Sequence, residues 1–210
     1  EIVKENHAKK KFPKQTKIKL ETYQEPDSVF KKREKIKMNV VLPKVSLTFK
    51  IRISHIKASL FELRNYIYYF FETKLGSTSL FLETLKNKGI LNYDLGIQMV
   101  QTEDFLVIMI LAETKKTEEF ISSVLEEIKE KTILKEELER KKKAMISSYI
   151  HMSDSVFALN QKIMNNLITY KEVYDDDFSM IKKLNVKDAN EILKQISFEN
   201  YSIVTVEKDE

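Results

Sequence analysis

The stretch SLTFKIRI, Ser46–Ile53, alternates without a break: Leu47, Phe49, Ile51 and Ile53 take one side, and Ser46, Thr48, Lys50 and Arg52 the other. A period of two is the signature of a β-strand with one face on a core and one in water, and it favours an antiparallel sheet. Just upstream, Ile36, Met38, Val40 and Leu42 alternate with Lys37 and Asn39, and Pro43-Lys44 marks a break between the two strands. Downstream the period changes. ASLFELRNYIYYFFETK, Ala58–Lys74, reads as a helix with Leu60, Leu63, Ile67 and Phe70 as one stripe; Phe61, Tyr68 and Phe71 add bulk on other sides. Gly76-Ser77-Thr78-Ser79 then ends this helix and caps a second, Ser79–Lys88, which Gly89 stops.

A second strand pair follows, Asn92–Val100 and Phe105–Ala112, joined by the polar turn at 101–104. FLVIMILA, Phe105–Ala112, is apolar throughout, which predicts a central strand covered on both sides. Helices are expected over Thr117–Lys131, Lys135–Ile150, Asp154–Tyr170, Phe178–Leu184 and Lys187–Ile196, with Asn185 as a cap and Asp188 as a first-turn charge. Tyr201–Val206 closes the chain as a strand. The order ββααββαααααβ groups helices between strand pairs, so the fold class is α+β: an antiparallel sheet with helices packed on one face.

Composition removes several functions. The 210 residues include no Cys, so disulfides, thiolate metal sites and Cys nucleophiles are excluded, and a reducing, cytoplasmic setting is expected. Three His, at 7, 55 and 151, lack ligand spacing, and three Gly without GxGxxG or GxxxxGK[ST] spacing exclude dinucleotide and P-loop fingerprints. No apolar run reaches the ~20 residues of a membrane-spanning helix. Residues 1–57 hold 16 basic and 6 acidic side chains, while 58–210 hold 20 and 26. Residues 1–27, with Lys9–Lys14 (KKKFPK) and the turn-prone Gln24-Glu25-Pro26-Asp27, read as a connector, and 28–210 as the domain. The chain starts with Glu1, which suggests a piece of something longer.

The run Leu75-Gly76-Ser77-Thr78-Ser79-Leu80-Phe81 through Leu82-Glu83-Thr84-Leu85-Lys86-Asn87-Lys88-Gly89 to Tyr93, with the later helices and the closing Asn185-Val186-Lys187-Asp188-Ala189-Asn190 stretch, resembles the non-catalytic second half of M16 peptidases. That family includes insulinases and mitochondrial processing peptidases. The resemblance covers about residues 28–210 and extends to bacterial M16-like proteins associated with elongation factor P modification. It implies a metallohydrolase-type α+β fold, one of two homologous halves closing around a peptide. It also implies that zinc, held by an HxxEH motif, belongs to the upstream half alone. Here the matching helix region, Tyr66–Phe71, reads YIYYFF and has neither His nor carboxylate. This half is therefore expected to be catalytically silent and to need an upstream half or a homologous subunit as partner, with self-association through an exposed apolar surface. A scaffold that has lost hydrolysis, or an inactive subunit of a heterodimer, is the other reading.

The resemblance also points to Lys86 and Tyr93 as substrate contacts, matching an Arg–Tyr pair that holds substrate backbone. Tyr can donate to a carbonyl; Lys keeps the charge of Arg but loses its planar fork. The blander reading is a solvated Lys86 and an edge-of-core Tyr93. Lys9-Lys10-Lys11, Lys31-Lys32-Arg33 and Arg140-Lys141-Lys142-Lys143 lack interleaved aromatics, so solvated surface is favoured over nucleic-acid contact. Asp175-Asp176-Asp177 lacks a calcium-loop spacing and suits a helix start.

Overall fold

The computed structural model describes residues 1–11, 24–102, 104–173 and 177–209, with the side chain of Asp177 left aside. Five strands form one sheet: β1 (Arg33–Met38), β2 (Lys44–Arg52), β3 (Gly96–Gln101), β4 (Phe105–Glu113) and β5 (Tyr201–Lys208), in the spatial order β1-β5-β2-β4-β3. The helices are α1 (Ile2–Ala8), α2 (Leu60–Leu75), α3 (Leu80–Asn87), α4 (Thr117–Glu127), α5 (Lys135–Ser153), α6 (Val156–Tyr170), α7 (Asp177–Lys183) and α8 (Val186–Lys194). From Arg33 onward the order is the one expected, and the class is α+β.

β2 carries the alternation read from its sequence. Val45, Leu47, Phe49 and Ile51 are buried while Ser46, Thr48, Lys50 and Arg52 are half-exposed. Ile53 falls outside the strand, in a short 3-10 turn. The buried side joins Leu106, Ile108 and Ile110 of β4 and Ile203 of β5 under α2, α4 and α8 in one core. Ser59 explains the start of α2: its hydroxyl accepts from the Glu62 N–H, and Glu62 accepts from the Ser59 N–H, a reciprocal cap. Within YIYYFF, Tyr66, Ile67, Tyr69, Phe70 and Phe71 are buried and Tyr68 alone is exposed.

Two expectations need correction. The Ile36–Leu42 segment does not pair with β2 and does not run to Leu42. β1 stops at Met38 and lies parallel to β5, which is inserted between β1 and β2. The rest of the sheet is antiparallel. Nor is β4 covered on both sides. Leu106, Ile108 and Ile110 face the helices, while Val107, Met109 and Leu111 lie half-exposed on the opposite face. That open face explains the uniform apolarity of FLVIMILA, because an apolar strand can serve two surfaces that are not both core.

Two of the three basic runs have members tied to the fold. Lys141 pairs with Glu72 at 2.7 Å across α5 and α2, and Lys142 donates to the carbonyls of Lys182 and Leu184 at the end of α7. Arg33 forks onto Glu118 at 2.8 and 2.9 Å, tying the edge strand to the start of α4. This pairing holds the Glu118 carboxyl below its ordinary range, with the Arg33 hydrogen bond as the main cause. Asp175 and Asp176 lie outside the described residues.

Tyr66 links α2 to α8: its hydroxyl oxygen accepts from the Asn185 N–H at 3.1 Å, just where Asn185 caps α8. Burial, more than any other cause, pushes this phenol above the ordinary 10.0. The resulting stability is fully present below pH 10.0 and is lost as pH rises through the higher folded-state value. Tyr66→Phe is expected to cost about 1–2 kcal/mol, because a backbone donor loses its partner. It should also flatten the alkaline limb of a stability–pH curve measured by urea unfolding.

Candidate functional site

The face of the sheet turned away from α2, α4 and α8 carries a groove of about 450 Å³. Strand register builds its floor. Leu111 lies opposite Ser46, and Ser46 lies opposite Val204, so three neighbouring strands place these side chains in one row. The next row holds Glu113, Lys44 and Val206, with Lys44 Nζ 2.5 Å from Glu113 Oε1. Leu111 on β4 and Val204 and Val206 on β5 supply apolar strips; between them β2 supplies Ser46 and Lys44, with Glu113 beside Lys44. The Ser46 and Thr48 hydroxyls lie 3.1 Å apart along the same strand.

The rim comes from the segment between α3 and β3. Gly89 ends α3 with φ +61, a conformation that costs glycine little. Its N–H bonds the Lys86 carbonyl, and the Ile90 N–H bonds the Leu85 carbonyl, turning the chain back toward the sheet. Tyr93 and Asp94 then line the groove. Tyr93 is 68% exposed and lies before β3, which begins at Gly96 and not at Asn92 as the sequence suggested. Lys86, exposed on α3, reaches Asp94 with Nζ 2.5 Å from Oδ1. Of the two residues singled out by the sequence, Tyr93 lines the groove, while Lys86 lies outside its lining and is linked to it through Asp94.

Sequence reasoning missed Asp94, Lys44, Glu113, Leu111, Val204 and Val206. Lys44 and Glu113 meet only through antiparallel register, for which a single strand gives no sign. Leu111 was hidden in an unbroken apolar run.

Among the described residues no group of three or more His, Cys, Asp or Glu is arranged to hold a metal ion. The buried side chains of Tyr66–Phe71 are packed among other aromatics, with Phe70 stacked on Phe198 at 5.5 Å and Phe71 edge-on to it at 5.3 Å. That donor set does not fit zinc. Tyr68 is turned outward, and burial, followed by the negative charge of Glu72, raises its phenol pKa. His55 and His151 are both exposed, on the turn after β2 and near the end of α5. No helix is long and apolar enough to cross a membrane, among the residues described.

No family model matches the sequence, and no curated protein matches it. Solved structures do. A protein of Alicyclobacillus acidocaldarius assigned as an M16-like peptidase superposes with a TM-score of 0.85 at 17% identity, over 99% of this chain and 51% of that one. A protease from Helicobacter pylori gives 0.72 at 17% identity, over 92% of this chain and 48% of that one. The peptidase M16 inactive domain from Pseudomonas fluorescens gives 0.63 at 13% identity, over 91% and 47%. The chain thus spans about half the length of these structures. It has the fold of one half of an M16-like peptidase.

Proposed function

We propose that this chain is the non-catalytic half of an M16-type zinc peptidase, whose open sheet face forms one wall of a peptide-binding chamber. The observation that carries this reading is the groove lined by Leu111, Val204 and Val206, with Tyr93 at its rim, on the face of the sheet turned away from α2, α4 and α8. Such a surface suits an extended peptide: apolar strips for side chains, and a polar row on the middle strand for backbone groups. In this reading Tyr93 donates to a substrate carbonyl, while Lys86 holds Asp94 and sets the rim. Zinc and the water-activating carboxylate belong to the other half, and the chain is cytoplasmic.

A second reading, a scaffold or inactive subunit, is favoured by α6. Phe157, Met164 and Ile168, seven and four residues apart, make an outward stripe at 78, 47 and 65% exposure, and no residue of α6 is buried. A helix with this pattern is expected to meet another polypeptide, either a zinc-bearing half or a second copy.

The test is cleavage of a quenched peptide mixture by the chain alone and by the chain combined with a zinc-bearing M16 half. No cleavage is expected from the chain alone, with or without added zinc. Cleavage by the combination should fall about tenfold in Tyr93→Phe, a loss equal to one hydrogen bond of ~1.4 kcal/mol. Zinc-dependent cleavage by the 210 residues alone would overturn the reading, and a stable complex without cleavage would favour the scaffold.

A further inference from the structure

At the opposite end of β2 from the groove, with Lys50 roughly 13 Å from Ser46 by strand rise, the chain holds a piece of itself as a protein holds a peptide. Lys50 Nζ donates to the Pro26 carbonyl at 2.6 Å and lies 2.6 Å from Glu25 Oε1. Arg52 Nε donates to the Asp27 carboxylate, and Arg52 Nη2 donates to the Glu25 carbonyl at 3.3 Å. Asn200 reads the main chain on both sides. Its Nδ2 donates to the Asp27 carbonyl at 2.7 Å, and its Oδ1 accepts from the Val29 N–H at 3.0 Å. Phe105 backs the two cations, with its ring centre 4.2 Å from Lys50 Nζ and 4.5 Å from Arg52 Cζ.

Four features separate this from a connector that merely lies on a surface. Two carboxylates, two residues apart, each meet their own cation. Both carbonyls flanking Pro26, and that of Pro26 itself, accept from side chains. The Lys50 side chain is only 11% exposed although it sits at a strand end, so the segment, and not solvent, satisfies it. Asn200 is itself fixed, since its Nδ2 also donates to the Lys50 carbonyl at 3.0 Å and its carbonyl accepts from the Lys50 N–H at 2.9 Å. The receptor side is rigid sheet; the occupant contributes only charges and backbone.

We propose that Lys50, Arg52, Asn200 and Phe105 form a binding site for an acidic peptide segment of the acid–Pro–acid kind, which the chain's own Glu25-Pro26-Asp27 fills in cis. Removal of this segment would leave Lys50 without a carboxylate and Arg52 with only Asp104, 3.8 Å away, beside an aromatic ring, a surface selective for acidic extended peptide. A tethered occupant competes at an effective concentration on the order of millimolar. A peptide in trans is therefore shut out at ordinary concentrations until the tethered acids are removed or drawn away. This site is independent of the chamber reading: it shares no side chain with the Tyr93 groove, and its test involves no hydrolysis.

The test uses a labelled peptide of residues 24–29, QEPDSV, titrated against the 210-residue chain and followed by fluorescence anisotropy. The E25A/D27A variant is expected to bind it about tenfold or more tightly than the unaltered chain, and rising salt should weaken that binding. Adding K50Q and R52Q should abolish it. The charge-swapped peptide QKPKSV should not bind E25A/D27A, which checks selectivity on a protein whose strands are untouched. Equal affinity in the unaltered chain and E25A/D27A, or equal binding of QEPDSV and QKPKSV, would overturn the proposal and leave the segment a structural anchor only.

Discussion

Phe71→Ala is expected to lower the unfolding free energy by about 3–5 kcal/mol, among the largest losses from any single truncation in this chain. The side chain is fully buried and joins its own helix to two other parts of the fold through aromatic contacts. Its ring centre lies 5.7 Å from Phe49 on β2, 5.3 Å from Phe70 on α2, and 5.3 Å from Phe198 in the segment that leads into β5. Truncation removes the transfer free energy of the ring and leaves a void between a strand, a helix and a loop. These elements are fixed by many other contacts, so little collapse into the void is expected. Against a total stability of about 5–15 kcal/mol for an ordinary domain, this is a large fraction. Thermal denaturation should show a fall of ~6–20 °C. Tyr68→Ala, three residues earlier on the same helix, should cost less than about 1 kcal/mol, because Tyr68 is 37% exposed and outside that cluster. Equal losses in the two variants would show that the aromatic cluster does not hold α2 to the sheet.

Much of the architecture was legible because it is written in local periods. The alternation in Leu47-Thr48-Phe49-Lys50-Ile51-Arg52 survives in the burial of β2, and the Ser59, Ser79 and Asn185 caps start α2, α3 and α8. What failed depended on partners distant in sequence. Ile36 and Met38 alternate like a core strand, yet they lie at the sheet edge at 41 and 52% exposure, because β5 arrives last and takes the place beside β2. No local signal in 33–42 announces a strand that begins at Tyr201. Similarly, FLVIMILA does not say which of its two apolar faces will be left open.

The site divides along the same line. Tyr93 and Lys86 were reached through a family resemblance; Tyr93 lines the groove and Lys86 pairs with its neighbour Asp94, while the groove itself is made by cross-strand register that no single segment encodes. The Glu25–Asp27 contact shows the limit most plainly. The sequence marks Gln24–Asp27 as a turn-prone connector, and the acids that define its seat are ordinary by composition. Their meaning appears only when β2 brings Lys50 and Arg52 beside Asn200, 150 positions from Lys50 along the chain.

The three glycines look alike in sequence but should respond differently to alanine, and Gly76 is where the effect should be largest. Gly76 ends α2 with φ −67, which any residue can adopt, so its backbone conformation does not demand glycine. Space does. A Cβ at this position would lie 2.3 Å from the Glu72 carbonyl oxygen and 2.8 Å from Glu72 Oε2. The carbonyl cannot swing aside cheaply, because it accepts from the Gly76 N–H at 3.0 Å in the last turn of the helix. The carboxylate is itself held by Lys141 at 2.7 Å. Gly76→Ala must therefore shift the end of α2, at a cost of about 1–3 kcal/mol, and loosen the α2–α5 tie. At Gly89 the reverse applies: no atom lies within 4 Å of a built Cβ, but φ +61 is strained for alanine, which should cost ~1 kcal/mol. At Gly96 the nearest atom is Leu111 Cβ at 3.6 Å, an ordinary contact, and the change should be nearly neutral. Urea unfolding of the three variants should rank them in that order. Glu72→Ala placed in the Gly76→Ala background removes the carboxylate clash but not the carbonyl one. It should restore only a minor part of the loss; full restoration would assign the strain to the side chain and not to the helix backbone.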